Sequence, residues 1–422
     1  MRITILAIGS RGDVQPCIAL GAGLQRAGHQ VRVATVDDFE ALVSERGLDF
    51  YPLGVQARQL LRSPGATAIL ESGSNVLRGM RQIVRALRPL MEQIMEGTWR
   101  ACQDAEAIVF STLGMGAYHV AEKLGVPCLW THIFPIFVRT RYQPSIAFPA
   151  LPLGGSYNRL THILVEQFGQ WLTGGFVNRW RRERLGLPSL SPFRWPYGQL
   201  DGRPLPTFYG YSPAVAPKPP DWGEHVHVTG YWFLDRPPGW QPPADLARFM
   251  ASGPPPVYVG FGSVSNRDPQ GMTRIVLRAL EESGQRGVIA TGWGGLRDAA
   301  TDDVFALASV PHDWLFPRVA AVVHHGGAGT TGAGLRAGVP SVIVPHFGDQ
   351  PFWARRVHEL GVGPRPVPRA RLTAERLAAA IREAVEDASM RARAAALGAR
   401  IRAEDGVGNV VRAFEQAAEL WK

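Results

Sequence analysis

Residues 320–350, AAVVHHGGAGTTGAGLRAGVPSVIVPHFGDQ, restrict the fold more than any other part of the chain. Val322 and Val323 close an apolar run of the kind that makes a buried strand, and His324 and His325 follow at once. The turn Gly326-Gly327-Ala328-Gly329 leads to Thr330-Thr331, where the pattern predicts a helix start. That helix should end near Gly338, and Pro340 opens a second buried strand over 341–344. Strand, glycine-rich turn, helix and strand make a βαβ unit, which commits the chain to a parallel sheet covered by helices.

The turn points to an anion. A helix start leaves backbone N–H groups unpaired and carries partial positive charge. Glycines let the backbone approach a phosphate closely, and Thr330 and Thr331 add hydroxyl donors. No Gly-Lys-Ser/Thr follows, so this is not a P-loop, and the spacing is not the dinucleotide GxGxxG. His325 at the strand end suits a hydrogen bond to a phosphate oxygen. The competing reading is a tight turn whose glycines serve packing alone.

Other features bound the class. At 422 residues the chain exceeds one ordinary core and fits two domains. The formal net charge of +9 suits anionic ligands and also weak attraction to an anionic membrane surface or nucleic acid, and charge alone does not choose among them; no nucleic-acid partner is expected. Cys17, Cys102 and Cys128 are scattered and odd in number, which indicates neither a disulfide framework nor a zinc site. Residues 1–10 read as a first strand rather than a signal peptide, and no apolar run suffices to cross a bilayer, so a cytoplasmic enzyme is expected.

The opening repeats the theme: strand 3–8, loop 9–15, a helix from Pro16 to about Ala27 capped by Gly28, and a strand at 31–35. Ligands of such sheets bind beyond the carboxyl ends of the strands, where loop 9–15 lies. Residues 54–73 read as a mobile loop. A long helix over 75–100 carries Arg78, Arg81, Arg85 and Arg88 on one face, read either as a solvated face or as a weak peripheral membrane contact. Residues 177–187 form a second basic amphipathic stretch. Between them, residues 132–176 are aromatic with few charges, and His132, Phe134, Phe137, Tyr142 and Phe148 are taken to line a pocket for a flat, lipophilic acceptor. Proline-dense segments at 213–220 and 237–243 mark the interdomain connection. The domains are placed at 1–220 and 221–404, with 405–422 as a terminal helix.

These residues resemble a known family. HHGGAGTT over 324–331, AGVP over 337–340 and Asp349-Gln350 are similar to the donor signature of family 1 nucleotide-sugar glycosyltransferases. The similarity is greatest to the sterol glucosyltransferase and bacterial natural-product branch, where GSRGDVQP over 9–16 also belongs. The resemblance implies an α/β fold of the GT-B type, two Rossmann-like domains with parallel sheets facing across a cleft. It also implies that the last helix returns to the first domain. It places Ser10, Arg11, Gly12, Ser263, Val310, His312, His325, Gly327, Ala328, Gly329, Thr330, Asp349 and Gln350 around the donor. Asp349-Gln350 would hold the sugar hydroxyls and Ser263 would sit near the phosphates. The sequence departs from plant relatives at Ser309, where they stack a tryptophan on the base, and at Ala333, where they bind ribose with glutamate. The choice between UDP and TDP therefore stays open.

The implied reaction moves a hexose from a nucleotide diphosphate to an acceptor hydroxyl with inversion. Asp13 is the expected base and Asp349 its rival; Asp13 as a mere helix cap is the competing reading. Without an Asp-x-Asp cluster, neither metal nor cofactor is expected. Sterol, triterpenoid, polyketide and flavonoid acceptors all remain open. Two other functions compete: a sugar-nucleotide epimerase of the same shape, and a non-catalytic auxiliary protein. The aromatic middle of the first domain argues against the former, and the pairing of Asp13, His325 and Asp349-Gln350 against the latter.

Overall fold

The computed structural model describes residues 1–56, 76–262, 268–291 and 301–419, with side chains from residue 88 onward in the second stretch. Most of the 54–73 segment read as a mobile loop, Ser263, and the side chains of Arg78, Arg81 and Arg85 thus lie outside the described residues. Two compact units form: the described residues of Met1–Gly210, Lys218–Trp232 and Gly406–Lys422, and those of Tyr211–Pro217 and Phe233–Asp405.

In the first unit the strands are β1 (Arg2–Ala7), β2 (Gln30–Thr35), β3 (Asp49–Pro52), β4 (Ala107–Phe110), β5 (Cys128–His132), β8 (Thr207–Tyr209) and β9 (Val226–Val228). They pair in the order β3-β2-β1-β4-β5-β8-β9, every pair parallel. A short antiparallel pair, β6 (Gln199–Leu200) and β7 (Arg203–Pro204), stands apart. Helices α1 (Arg11–Arg26), α2 (Glu40–Ser44), α3 (Val76–Ala101), α4 (Gly116–Leu124) and α5 (Gly154–Trp180) connect them. Strands β4 and β5 are buried along their whole length, as expected of parallel strands covered on both faces.

The second unit has a five-stranded parallel sheet: β10 (Val257–Gly260), β11 (Gly287–Ala290), β12 (Val304–Leu307), β13 (Ala321–His324) and β14 (Ser341–Ile343), in the order β12-β11-β10-β13-β14. Its helices are α6 (Ala244–Ala251), α7 (Pro269–Ser283), α8 (His312–Leu315), α9 (Ala328–Ala337), α10 (Gln350–Glu359), α11 (Ala374–Glu386) and α12 (Ala388–Ala403). Period-two alternation splits the core between the sheet's faces. Val257, Val259 and Val323 pack with Met272, Leu377 and Ile381. Tyr258, Val288 and Val322 pack with Leu246, Leu315 and Phe316.

Three local expectations change. Helix α1 starts at Arg11 rather than Pro16, because Ser10 and Asp13 form a capping box that fixes an earlier first turn. Pro16 then sits inside the helix, where it has no N–H to give. Residues 221–232 lie in the first unit rather than the second, because β9 pairs with β8 at the edge of that sheet. The basic stretch 177–187 is not uniformly exposed: Arg179, Arg182 and Arg184 face out and Arg181 does not. Arg181 is fully buried and donates to Glu122 at 2.6 and 2.9 Å and to His119 Nδ1 at 2.9 Å, while Arg184 pairs with Glu96 on α3.

The final helix, α13 (Gly406–Glu419), belongs to the first unit and packs on α1. Close approach depends on glycines: a Cβ at Gly23 would stand 2.4 Å from Val407 Cγ1, and one at Gly406 would stand 2.3 Å from the Tyr231 carbonyl oxygen. In an open helix Gly→Ala gains up to about 1 kcal/mol. Here overpacking reverses the sign, and Gly23→Ala is expected to destabilise by roughly 1–3 kcal/mol. A lowered urea midpoint relative to the parent protein checks this; a raised midpoint would show that the two helices are not in contact there.

Candidate active site

Each sheet reverses its winding beside its first strand. In the first unit the connections from β1 run outward through β2 and β3, then return to β4 and β5 on the other side. The carboxyl ends of β1 and β4 therefore splay apart, and such a switch point is where open α/β sheets bind ligands. A pocket opens there, lined by Ile8, Asp13, Cys17, Ser111, Thr112, Thr131, His132, Ile133 and Trp232.

Asp13 is held by its own helix start. Its Oδ2 accepts from the Ser10 N–H at 2.7 Å and from the Ser10 hydroxyl at 2.8 Å. Gly9 makes room, with φ at +139°; a Cβ there would meet Asp13 Oδ2 at 2.4 Å. Burial raises the carboxyl above its ordinary range, against the opposing pull of the Ser10 hydrogen bonds. The cap and the pocket-facing carboxyl are thus one and the same group. Burial also pushes the Cys17 thiol beside it up to about 12, so that thiol stays protonated and unreactive.

His132 ends β5 and is buried. Its Nδ1 shares a hydrogen bond with the Thr112 hydroxyl at 2.9 Å, while Nε2 has no partner among the described residues. Burial drives the imidazole down to about 3, so it is neutral. An aromatic wall continues from it: Phe137 lies 5.8 Å from His132 and stacks between Trp130 and Trp195 at 5.1 and 5.5 Å. Phe137 holds φ at +68°, a left-handed conformation that bulky residues rarely keep. Of the other expected acceptor residues, Phe134 and Phe148 are half-buried and Tyr142 is exposed; none joins this stack among the described residues. Ser111, Thr112 and Trp232 were not singled out from sequence, although the polar pair directly after an apolar strand was a readable signal.

In the second unit the reversal falls between β10 and β13. The residues following β10, β13 and β14 bring Phe261, His325 and His346 together. A Cβ on Gly262 would meet the His325 ring at 2.9 Å, one on Gly327 would meet it at 2.5 Å, and His346 lies 6.0 Å from Phe261. Gly326 takes φ +92° and backs onto Ile343 and the Gln350 carbonyl, so the turn is glycine for conformation as well as closeness. Helix α9 begins at Ala328, two residues earlier than the threonine pair suggests, with Gly327 as its cap. Its start offers the N–H groups of 328–330, with Gly329 exposed and Thr330 half-buried. Thr331 drops out as a donor, being fully buried with its hydroxyl bonded to the Gly327 carbonyl at 3.0 Å.

Two imidazoles face this turn without partners. His325 Nδ1 and both ring nitrogens of His346 are buried and lack hydrogen-bond partners among the described residues. Burial pushes each down to about 4, and each histidine is further lowered by a neighbouring cation-forming group. A neutral imidazole has one donor and one acceptor nitrogen, so these rings keep unused hydrogen-bonding capacity beside the turn. His324 is fully buried in the core; its Nδ1 accepts from the Gly326 N–H at 3.0 Å, and its Nε2 too has no partner among the described residues. His346 lies in the segment between the second strand and Asp349-Gln350, but only the fold turns it toward His325.

The remaining positions divide. Asp349 caps α10, and its Oδ2 accepts from Trp353 Nε1 at 2.9 Å. Gln350 is buried, its Oε1 accepting from the N–H groups of His346 and Phe347 at 2.8 and 3.2 Å, so this oxygen braces the loop. The Val310 side chain is in the core, leaving only its backbone for a ligand. His312 stacks on Phe316 at 4.2 Å. Ser10 caps α1, Gly12 is half-buried, and Arg11 is exposed and donates to Gln15 at 3.2 Å.

Two parallel sheets, each with a site at its switch point, define the GT-B class of nucleotide-sugar glycosyltransferases. Residues 3–143 match the glycosyltransferase family 28 N-terminal domain, and residues 290–416 match the erythromycin biosynthesis protein CIII-like C-terminal domain. The chain is 39% identical to the sterol 3-beta-glucosyltransferase UGT80B1 of Arabidopsis thaliana, over 99% of this chain and 68% of that protein. It is 37% identical to the sterol 3-beta-glucosyltransferase of Aspergillus clavatus, over 99% of this chain but 30% of that protein, so it spans under a third of the fungal relative. The calicheamicin glycosyltransferase CalG4 shares its fold at TM-score 0.72 and 19% identity, covering 99% and 98% of the two chains. SnogD of Streptomyces nogalater does so at 0.67 and 20%, covering 99% of each. The chain belongs to the nucleotide-sugar glycosyltransferases, in the branch of the sterol glucosyltransferases and bacterial natural-product enzymes.

Buried neutral histidines give stability a definite pH dependence. His119 and His132 are pushed down to about 3 and His325 and His346 to about 4, in each case chiefly by burial. Between these values and the ordinary value of about 6.5 the unfolded chain takes up protons that the folded chain refuses. Their contribution is therefore complete above about pH 6.5 and declines as pH falls toward 4, by about 1.4 kcal/mol per pH unit for each proton so excluded. Urea midpoints measured from pH 7 to 4.5 should fall steadily, and less steeply in His132→Gln; a level profile would mean these rings are hydrated in the folded protein.

Proposed function

We propose that this chain transfers a hexose, glucose in the first instance, from a UDP- or TDP-sugar to a hydroxyl of a lipophilic acceptor of the sterol, triterpenoid, polyketide or flavonoid kind. The single observation that carries the donor half is the pair of unpartnered buried imidazoles, His325 and His346, beside the start of α9. The acceptor half rests on Asp13 sharing a pocket with His132, backed by the Phe137 stack.

In this mechanism the diphosphate settles on the N–H groups of 328–330 and the Thr330 hydroxyl, with His325 donating from its ring. Ser263, outside the described residues, joins the phosphates. The helix start and these donors stabilise the negative charge that grows on the leaving oxygen, so the step is metal-independent. Asp349 and the Gln350 amide nitrogen hold sugar hydroxyls, and the backbone at Val310 and the His312 region take the base. The acceptor oxygen attacks the anomeric carbon from the face opposite the diphosphate. A C–O bond forms as the C–O bond to phosphate breaks with its electron pair, and the anomeric centre inverts. The acceptor proton passes to Asp13, whose raised affinity for a proton makes it a better base than an exposed aspartate. Ser10 keeps that carboxyl aimed while it works.

Incubation with a panel of UDP- and TDP-sugars and mixed lipophilic acceptors, read by mass, should yield an acceptor heavier by one hexose residue. A changed sugar with no acceptor consumed would instead mean epimerisation. Asp13→Asn should fold, bind nucleotide diphosphate and lose at least about a hundredfold in turnover, the lower range for a positioned base. Near-parental turnover would pass the role to Asp349.

His325→Ala should weaken the binding of UDP or TDP by about tenfold, the loss of one strong hydrogen bond to a charged group. Calorimetric titration reads this directly, and an unchanged dissociation constant would displace the phosphates from the turn.

A further inference from the structure

Helix α5 shows an apolar stripe to the outside. Leu153, its cap residue, and Leu160, Leu164, Phe168 and Trp171 follow at spacings of three, four and seven, which keeps them within one narrow face of a helix. All are exposed, Leu160 at 50% and Trp171 at 52% of their full surface. The opposite face is inward: Thr161, His162, Glu166 and Gln170 are buried, and Gly169 meets the Trp195 ring. Phe193 joins the stripe from a neighbouring loop, fixed there by Gln167 Nε2 donating to its carbonyl at 3.2 Å, and is 84% exposed. From Leu153 to Trp171 the stripe runs about 27 Å. Scattered exposed leucines need no explanation, but a continuous row with two large aromatic rings does.

Charge says what the row meets. Between Arg141 and Arg182 the only carboxylate is Glu166, which is buried and neutralised by Arg139 at 2.9 Å. The exposed charges along this stretch are the arginines Arg141, Arg159, Arg179 and Arg182. At the amino end of α5, a cavity is lined by Arg139, Thr140, Arg141 and Arg159 with Asp221. The Asp221 carboxylate is occupied by the Thr140 hydroxyl and the Arg141 N–H, both at 2.7 Å. Neither Arg141 nor Arg159 forms an ion pair among the described residues. An apolar stripe with unpaired Arg141 and Arg159 at its amino end, and Glu183 as the one exposed carboxylate beyond its carboxyl end, is complementary to an anionic bilayer surface, with rings and leucines in the acyl boundary and arginines on phosphate groups.

We propose that α5 and Phe193 form a membrane-docking face that seats this protein on anionic lipid. No helix among the described residues is long and apolar enough to cross a membrane, so the contact lies in the plane of the interface. The face also serves an enzyme of lipophilic acceptors: a Cβ at Gly169 would stand 3.4 Å from the ring of Trp195, which stacks on Phe137 beside His132. The docking itself does not depend on the transferase reading, since vesicle binding is measured without any sugar donor.

Flotation of the full chain with phosphatidylcholine vesicles, with and without phosphatidylglycerol, tests it. Binding is expected to the phosphatidylglycerol vesicles and to fall as salt is raised. Trp171→Ser should weaken it about tenfold, the effect of withdrawing one large apolar side chain from the membrane. Arg141→Glu with Arg159→Glu should abolish the preference for phosphatidylglycerol. Unchanged circular dichroism and nucleotide binding show that the variants fold. Three results would overturn the proposal: no vesicle binding, equal binding by Trp171→Ser, or a dimer in light scattering that Trp171→Ser splits, which would make the stripe a contact between copies of this chain.

Discussion

Both sites depend on the same constraint, the reversal of winding beside the first strand of a parallel sheet. Two adjacent parallel strands whose connections leave in opposite directions cannot both be covered at their carboxyl ends. In the first unit that gap lies between β1 and β4, and in the second between β10 and β13. The residues of both candidate sites follow strands at or next to these gaps: Gly9 to Asp13, Ser111 and Thr112, and His132 at the end of β5, then Gly262, His325 to Gly327, and His346 after β14. The strands behind them are buried and hydrogen-bonded on both sides, so the loops are presented by a rigid support rather than by one another.

The chemistry at the two places differs in a way that burial explains. In the first, desolvation disfavours the charged form of a carboxyl, so Asp13 gains affinity for a proton while Ser10 limits the effect. In the second, the same desolvation keeps His325 and His346 neutral, leaving N–H donors beside a helix start rather than fixed positive charges. Under the proposed function a diphosphate would give these rings a hydrogen-bond partner and raise their proton affinity, opposite to the effect of burial.

Much of this was legible in the chain. The βαβ unit from 320 to 350 appears with its strands within a residue of the expected limits, since apolar runs bounded by glycine and proline leave little choice. Asp13 was readable as base or as cap; the fold shows the cap and sets the same carboxyl in the pocket lining, with Gly9 leaving room for it. What escaped is orientation. Thr331 and Thr330 look alike in sequence, yet one helical step turns Thr331 into the core. Gln350 reads as a sugar ligand, but its oxygen braces the loop before it. Residues 177–187 read as a basic amphipathic stretch, and nothing in it marks Arg181 as the arginine that is buried, paired with Glu122 from a helix some sixty residues away.

The amino-acid sequence by itself determined the parallel α/β architecture, the glycine turn and the residue types able to bind phosphate and move a proton. These follow from local periodicity, backbone freedom and side-chain chemistry, which neighbours in the chain settle among themselves. Only the tertiary structure decided which imidazoles go unpaired, that Trp232 closes the Asp13 pocket, and that the leucines and rings of α5 face outward instead of lining the acceptor wall. Those are questions of which face meets which partner, and burial answers them only when distant segments have come together.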